Sequence, residues 1–207
     1  MSEPKLNTSE VIAVASQLFW RDGYDGVSID DVVQETGFNR YALYRAFGGK
    51  RDLFIAALDA YHQKGRALVM EAMADPNLTA FEALGSAISL KMKDDGMFAA
   101  GCLLCTTAVE LAAHDEDVSR RVLGYFSEMK GMLGAVMARA QAEGELAPGR
   151  DSSEAAEVMF SIFLAIGVQA RAGAARQDVE KMVHSAIASL RFGAQASVLA
   201  LKADAAR

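Results

Sequence analysis

Apolar residues recur along almost the whole chain at spacings of three and four, and no stretch alternates apolar and polar positions between turn signals as half-buried strands do. The pattern predicts an all-α protein. The first helix carries Val11, Ile12, Ala15, Leu18 and Phe19 on one face, starts after Asn7 or Thr8 as N-cap and stops at Gly23. Ser28, with Asp31 three residues on, is an acidic variant of a capping box and introduces a short helix from Ile29 to Thr36 that Gly37 closes. A third helix covers Arg40 to Phe47, and Gly48-Gly49 separates it from a long fourth one bearing Leu53, Ala57, Leu58, Tyr61 and Leu68. Pro76 and Asn77 end that helix. Further helices are predicted near residues 78–94, 98–113, 117–144, 152–173 and 177–192, separated by Gly96, the polar HDED at 114–117 and APGRDSS at 147–153. The fourth of these is apolar on most sides around Val158, Met159, Phe160, Ile162, Phe163 and Ile166, which predicts burial in a bundle. The last repeats at Val179, Met182, Val183, Ala186, Ile187 and Leu190, a stripe that requires a partner helix. The Ala-rich tail 194–207 frays or extends that helix, and no internal repeat is present.

The stretch GFNRYALYRAFGGK, residues 37–50, stands out against this background. Two helices of about eight residues joined by a glycine-containing turn are marginal alone, and packed on a third they form a helix-turn-helix. The second helix of such a unit enters the major groove with polar or planar side chains on its N-terminal half, here Asn39, Arg40, Tyr41 and Ala42. Residues 37–51 hold four basic side chains, Arg40, Arg45, Lys50 and Arg51, and no acidic one, although the 207-residue chain has a net charge of −6. That local reversal of sign fits a phosphate-facing surface. Ser28 and Lys50 sit at helix starts, where free N–H groups and the dipole favour phosphate. Leu43 and Phe47 are read as core, and Tyr44 as half core and half phosphate contact.

The residues from about 9 to 56, with DGYDGVSIDDV ahead of GFNRYALYRAF and GGK, resemble the DNA-binding domain of the TetR family of transcriptional regulators. Matched position by position, GFNRYALYRAF is the turn and recognition helix, and Lys50 is the lysine that family members place against the DNA backbone. Tyr41 departs from the small residue common there, so the base contacts at that position are not transferable. The resemblance implies a division into a DNA-binding domain, 1–50, and a helical ligand-binding and dimerisation domain, 51–207. It also implies a homodimer formed through the last two long helices, with Val158, Ile162, Ile166, Val179, Met182, Val183, Ile187 and Leu190 as interface candidates, reading a pseudo-palindromic operator. The implied activity is that of a repressor released by a small ligand or by cysteine modification.

A second unusual stretch is GMFAAGCLLCTTAVELA, residues 96–112. Cys102 and Cys105 are three apart and follow Gly101, which places both on one face near a helix start, where the dipole favours thiolates. The GCL triplet resembles a branch of the same family that includes electrophile-responsive repressors. The alternative is that both cysteines are small buried hydrophobes. Met92, Met97, Met129, Met132 and Met159 with Phe98, Phe126 and Phe163 are candidates for an adaptable apolar pocket, and core packing explains them equally well. The ligand or thiol-sensing candidates are Tyr61, Phe98, Cys102, Cys105, Thr106, Met129, Met159 and Phe163.

Composition narrows the rest. The acidic balance argues against a protein that coats nucleic acid or membrane through overall charge. The N-terminus lacks a signal-peptide pattern, the apolar run 158–168 is interrupted by Ser161 and reads as too short for a bilayer, and two cysteines make no disulfide framework, so a cytoplasmic protein is expected. His62, His114 and His184 show no ligand spacing to the cysteines, no metal or cofactor is expected, and no His–carboxylate pair or phosphate loop points to an enzyme. An adaptor that keeps the helix-turn-helix only as scaffold is the remaining alternative.

Overall fold

A computed structural model describes residues 7–93 and 95–204, with side chains as far as Arg191 except those of 91 and 95–97. Among the described residues there are ten helices and no strand: α1 Thr8–Asp22, α2 Ile29–Thr36, α3 Arg40–Phe47, α4 Lys50–Met73, α5 Ala80–Met92, α6 Asp95–Ala100, α7 Leu103–Glu110, α8 Glu116–Ala142, α9 Ser152–Arg171 and α10 Arg176–Asp204. The side chain of Met97 and residues 205–207 of the Ala-rich tail lie outside the described residues; the backbone of that tail before them continues α10. The all-α expectation holds.

Packing divides the chain into two compact units, one running to Arg66 and including Cys102–Leu123, the other made of Ala67–Gly101 and the chain from Gly124. In the first, α1 to α3 close over the start of α4. Val11, Ala15, Leu18, Phe19, Ile29, Val32, Leu43, Leu53, Phe54 and Leu58 are buried, and the rings of Phe19 and Phe54 meet edge to face at 5.0 Å. Tyr24, in the turn after α1, adds its ring to Phe54 at 4.9 Å. Caps set the boundaries. Asn7 Oδ1 accepts the Glu10 N–H, and Ser28 with Asp31 completes a reciprocal capping box that starts α2. Gly37, at φ 71°, takes the left-handed conformation that ends α2.

The second unit is built around Phe81, Leu84, Ile88, Leu133, Met137, Met159, Phe160, Val179, Val183 and Leu190. Carboxylates from the end of α8 and just beyond it cap α5: the Ala80 N–H donates to Glu143 at 2.8 Å and the Phe81 N–H to Glu145 at 2.9 Å. Arg139 bonds Glu143 at 2.6 Å and reaches the Leu78 carbonyl, while Arg191 bonds Glu145 at 2.8 Å.

Two expectations are corrected. The helix predicted over 98–113 is two helices, because Gly101 sits at φ 73° and a Cβ there would lie 2.5 Å from the Gly167 carbonyl oxygen. The break therefore follows from a close backbone approach in the fold as well as from local sequence. The apolar run at 158–168 belongs to a 20-residue helix containing an 18-residue stretch of mean hydropathy 1.3, which by length and composition alone is enough to cross a membrane. One face of it, with Ala155, Ala156, Met159, Phe160, Gly167 and Ala170, is buried in the protein's own core.

Burial predicts a contrast within α5. Leu84 has no exposed surface and Leu90 is 50% exposed. Leu84→Ala should lower unfolding free energy by about 2–5 kcal/mol, whereas Leu90→Ala should stay within about 0.5 kcal/mol; denaturant midpoints at equal slope measure both.

Candidate nucleic-acid interface

α3 begins where Asn39 Oδ1 accepts the Ala42 N–H at 2.7 Å, so this side chain shapes the first turn of the helix. Leu43 points into the core at 1% exposure, and much of the remaining helix surface is left open: Arg40 and Arg45 are exposed, as are Tyr41 at 76% and Tyr44 at 44%. Ala42 and Phe47 are half-buried. Arg40 lies 3.2 Å from Asp30 on α2 and 6.0 Å from the centroid of the Tyr44 ring. Both contacts are solvent-exposed, so they orient the guanidinium at little energetic cost to a competing phosphate.

Lys50, the first residue of α4, is half-buried with its Nζ 4.3 Å from the centre of the Tyr24 ring. The packed Tyr24 ring thus fixes where this ammonium stands. Burial, ahead of the surrounding charges, pushes the Tyr24 hydroxyl above its ordinary pKa and keeps it neutral. Ser28 is exposed, and its hydroxyl donates to Asp31 Oδ2 at 2.7 Å while accepting the Asp31 N–H at 3.2 Å. Those bonds from the Ser28 side chain, then its backbone, hold the Asp31 carboxyl below the usual range. A phosphate at Ser28 therefore meets a hydroxyl whose proton is already shared with a carboxylate.

Arg51 does not join the open basic face expected of it. Its Nε bonds Asp115 Oδ2 at 2.8 Å, and its Nη2 bonds Asp115 Oδ1 at 3.0 Å and Asp117 Oδ2 at 3.3 Å. Asp115 also caps α8, accepting the N–H groups of Asp117 and Val118 at 3.1 Å each. Arg121 extends the network to Asp59 on α4 at 3.4 Å. The Arg51 bond, followed by the α8 N–H bonds, brings the Asp115 carboxyl down to about 2. HDED, read from sequence as a polar separator between helices, is thus an anchor for α4. Glu110, at the end of α7, accepts the Tyr24 N–H at 3.3 Å. Pairs separated by 64 or 86 positions leave no mark in a local pattern, which is why Asp115, Glu110 and Tyr24 were missed.

The remaining candidates fall into two groups. Tyr61, Cys102, Cys105 and Thr106 belong to the first unit, where the Tyr61 hydroxyl bonds Cys102 and Thr106 Oγ1 donates to the Cys102 carbonyl at 3.2 Å. Cys102 is half-buried and Cys105 buried. In the second unit Phe98, Met129 and Phe163 are half-buried against the core, with the Arg176 guanidinium 5.1 Å from the Phe98 ring centre. Met159 is fully buried core, so its sulfur is packing material and lines no open pocket. The interface set divides likewise. Val158, Ile162, Ile166, Met182 and Ile187 keep exposed surface, whereas Val179, Val183 and Leu190 are buried within the protein's own core. A helical stripe reports burial without naming the partner. Among the described residues no group of three His, Cys, Asp or Glu is arranged to hold a metal ion.

Two family matches lie along the chain. Residues 11–57 match the family described as bacterial regulatory proteins of the tetR family. Residues 79–186 match the family described as the tetracyclin repressor-like C-terminal domain. The HTH-type transcriptional repressor ComR of Escherichia coli is 28% identical over 189 residues, which is 86% of this chain and 84% of that protein. A TetR transcriptional regulator from Chloroflexus aurantiacus superposes with a TM-score of 0.75 at 23% identity, covering 88% of this chain and 92% of that one. A cysteine-substituted form of the regulator CifR, solved with a 26-bp double-strand operator DNA, superposes with a TM-score of 0.75 at 23% identity over 92% of this chain and 100% of that one.

The Asp115 carboxyl should titrate near 2 by carbon NMR, against an ordinary value of about 3.9. Its folded-state value is depressed, so the stability it contributes is present above about pH 4 and is lost as the pH falls toward 2. Arg51→Met should raise the midpoint measurably; an unmoved midpoint would show that the helix N–H bonds alone hold the carboxylate.

Proposed function

Because the chain belongs to the TetR family of bacterial transcriptional regulators, proteins that bind operator DNA and are not enzymes, we propose that it is a one-component repressor acting as a homodimer. In this reading residues 1–50 read DNA and residues 51–207 dimerise and sense an effector in the cytoplasm. The observation that carries it is the face of α3, where Arg40, Tyr41, Tyr44 and Arg45 stand open on a helix whose Leu43 is locked in the core. Arg40, Tyr41 and Ala42 meet base edges, while Tyr44, Arg45, Lys50 and Ser28 meet phosphates. Asn39 contributes by holding the N-terminal turn of α3.

Dimerisation through α9 and α10 is supported by apolar surface that remains open in the protomer, at Val158, Ile162, Ile166, Met182 and Ile187. Two heads related by a two-fold axis, about 34–36 Å apart, read half-sites one helical turn apart. The effector is a small apolar molecule received near Phe98, Met129 and Phe163, or a reagent that modifies the thiols beside Tyr61. It releases DNA only if it binds the DNA-incompetent state more tightly, by about 1–3 kcal/mol. α4, continuous from Lys50 to Met73, carries the response to the DNA-facing lysine.

Selection from a randomised duplex pool should return a two-fold symmetric consensus. Arg45→Ala and Lys50→Ala should weaken binding across sequences and each reduce the salt slope by about one. Tyr41→Ala should change the preferred base and leave the slope intact. Absence of enrichment by the ligand-free dimer, with the fold preserved, would sink the proposal in favour of a protein adaptor.

A further inference from the structure

α7 begins with a pair of thiols in a defined geometry. Cys102 is its N-cap, with φ −122° and ψ 115°, and its side chain makes no capping bond; Cys105 is the third helical residue. These are the two positions that exchange reciprocal hydrogen bonds in a capping box. The same pairing appears twice elsewhere in this chain, as Ser28 with Asp31 and Thr79 with Glu82. Side chains at N-cap and N3 therefore face each other across one helical turn, about 5–6 Å between Cβ atoms, and a disulfide requires them to draw about 1–2 Å closer. The outer thiol is half-buried and the inner one buried, so a reagent meets Cys102 first. The dipole at the start of the helix favours a thiolate there.

Tyr61 of α4 completes the cluster. Its hydroxyl accepts the Leu103 N–H and donates to the Cys102 sulfur, with Cys105 also within electrostatic reach. Burial first, and the thiols second, keep that hydroxyl protonated. Trp20, the single tryptophan, stacks edge to face on Tyr61 at 5.1 Å. At the far end of α7, about 12 Å away for eight residues, Glu110 accepts the Tyr24 N–H at 3.3 Å. The Tyr24 ring in turn holds Lys50 Nζ at 4.3 Å. One short, rigid helix thus joins the thiol pair to the residue that positions the lysine at the head of α4.

We propose that Cys102 and Cys105 form a two-electron dithiol–disulfide couple, oxidised by a hydroperoxide, and that closure at the head of α7 weakens operator binding through Glu110 and Tyr24. The thiol chemistry stands on the geometry above; its effect on DNA rests on the repressor reading. The Cys102 thiolate attacks the terminal peroxide oxygen, an S–O bond forms as the O–O bond breaks, and the alkoxide leaves as alcohol with a proton. The Cys105 sulfur then displaces the oxygen from Cys102. The S–S bond forms, the S–O bond breaks, and hydroxide takes the Cys105 proton and leaves as water. Two thiols lose two electrons and the hydroperoxide gains them. Closure draws the Cys102 side chain toward Cys105 and away from Tyr61. The Cys102 carbonyl, which accepts the Thr106 N–H at 3.0 Å and hydroxyl at 3.2 Å, carries that movement into the first turn of α7.

The test treats the reduced full chain with hydrogen peroxide and follows mass, alkylatable thiols, Trp20 emission and operator affinity together. The expected product has lost two hydrogens, has no alkylatable thiol, shows changed Trp20 emission, binds the selected operator about tenfold or more weakly, and is restored by dithiothreitol. Cys105→Ser should stop at a sulfenic acid that a dimedone probe captures, and Cys102→Ser should leave Cys105 alkylatable. A monomer in which Cys102 gains oxygen while Cys105 stays free, or a bridge between two chains, overturns the couple. A closed disulfide with unchanged operator affinity overturns the route through α7. Failure of the reduced protein to select any operator would instead overturn the repressor reading, and mass and Trp20 emission would still decide the couple.

Discussion

Everything the first unit presents to solvent depends on the burial of one apolar face of three short helices against the start of α4. α2 and α3 have eight residues each, too few to persist alone in water. Phe19, Phe54, Leu43 and the ring of Tyr24 supply the apolar contact that holds them. Because Leu43 is committed to that core, the helical repeat turns Tyr41 and Arg45 outward with Tyr44 beside them, while Arg40, one turn before Leu43, is exposed at the start of the helix. The open surface of α3 is thus largely a geometric consequence of the core beneath it.

Electrostatics then sorts the basic residues of an acidic chain by role. Arg51, next in sequence to Lys50, is turned to Asp115 and Asp117 and tightens the packing of α4 on α8 within the unit. Lys50 is held over the Tyr24 ring, with its Nζ 4.3 Å from the ring centre. Neighbouring cations thereby acquire opposite uses, one structural and one directed at solvent. A bidentate guanidinium suits the carboxylate pair, and a compact ammonium suits a phosphate or an aromatic face. Asp115 serves two masters, since the carboxylate that grips Arg51 also satisfies the free N–H groups of α8. The first turn of α8 and the first turn of α4 consequently order each other.

Much of the fold was legible because its signals are local. The capping box at Ser28, the helix end at Gly37 and the start of α3 at Arg40 all follow from residues within four positions of one another. The apolar stripes of α9 and α10 were equally visible, yet they announced only that something covers them. Val179, Val183 and Leu190 are covered by the chain's own core, while Val158 and Ile162 keep exposed surface. The spacing of Cys102 and Cys105 placed both thiols at a helix start, but nothing near them in sequence announced Tyr61, which arrives from α4. Gly101 looked like a residue near a helix start, and the break it makes is enforced by the Gly167 carbonyl on α9.

By itself, then, the sequence determined the helical class, most helix boundaries, the short basic stretch of α3, and the thiol pair at the head of a helix. Each of these rests on interactions across one or two turns of chain, where periodicity and caps have their full effect. Tertiary structure alone decided which stripes became core, which cation Asp115 took, and which side chains came to lie against Lys50 and Cys102. Those outcomes are pairings between positions tens of residues apart, selected by burial and charge in three dimensions, and no local pattern encodes them.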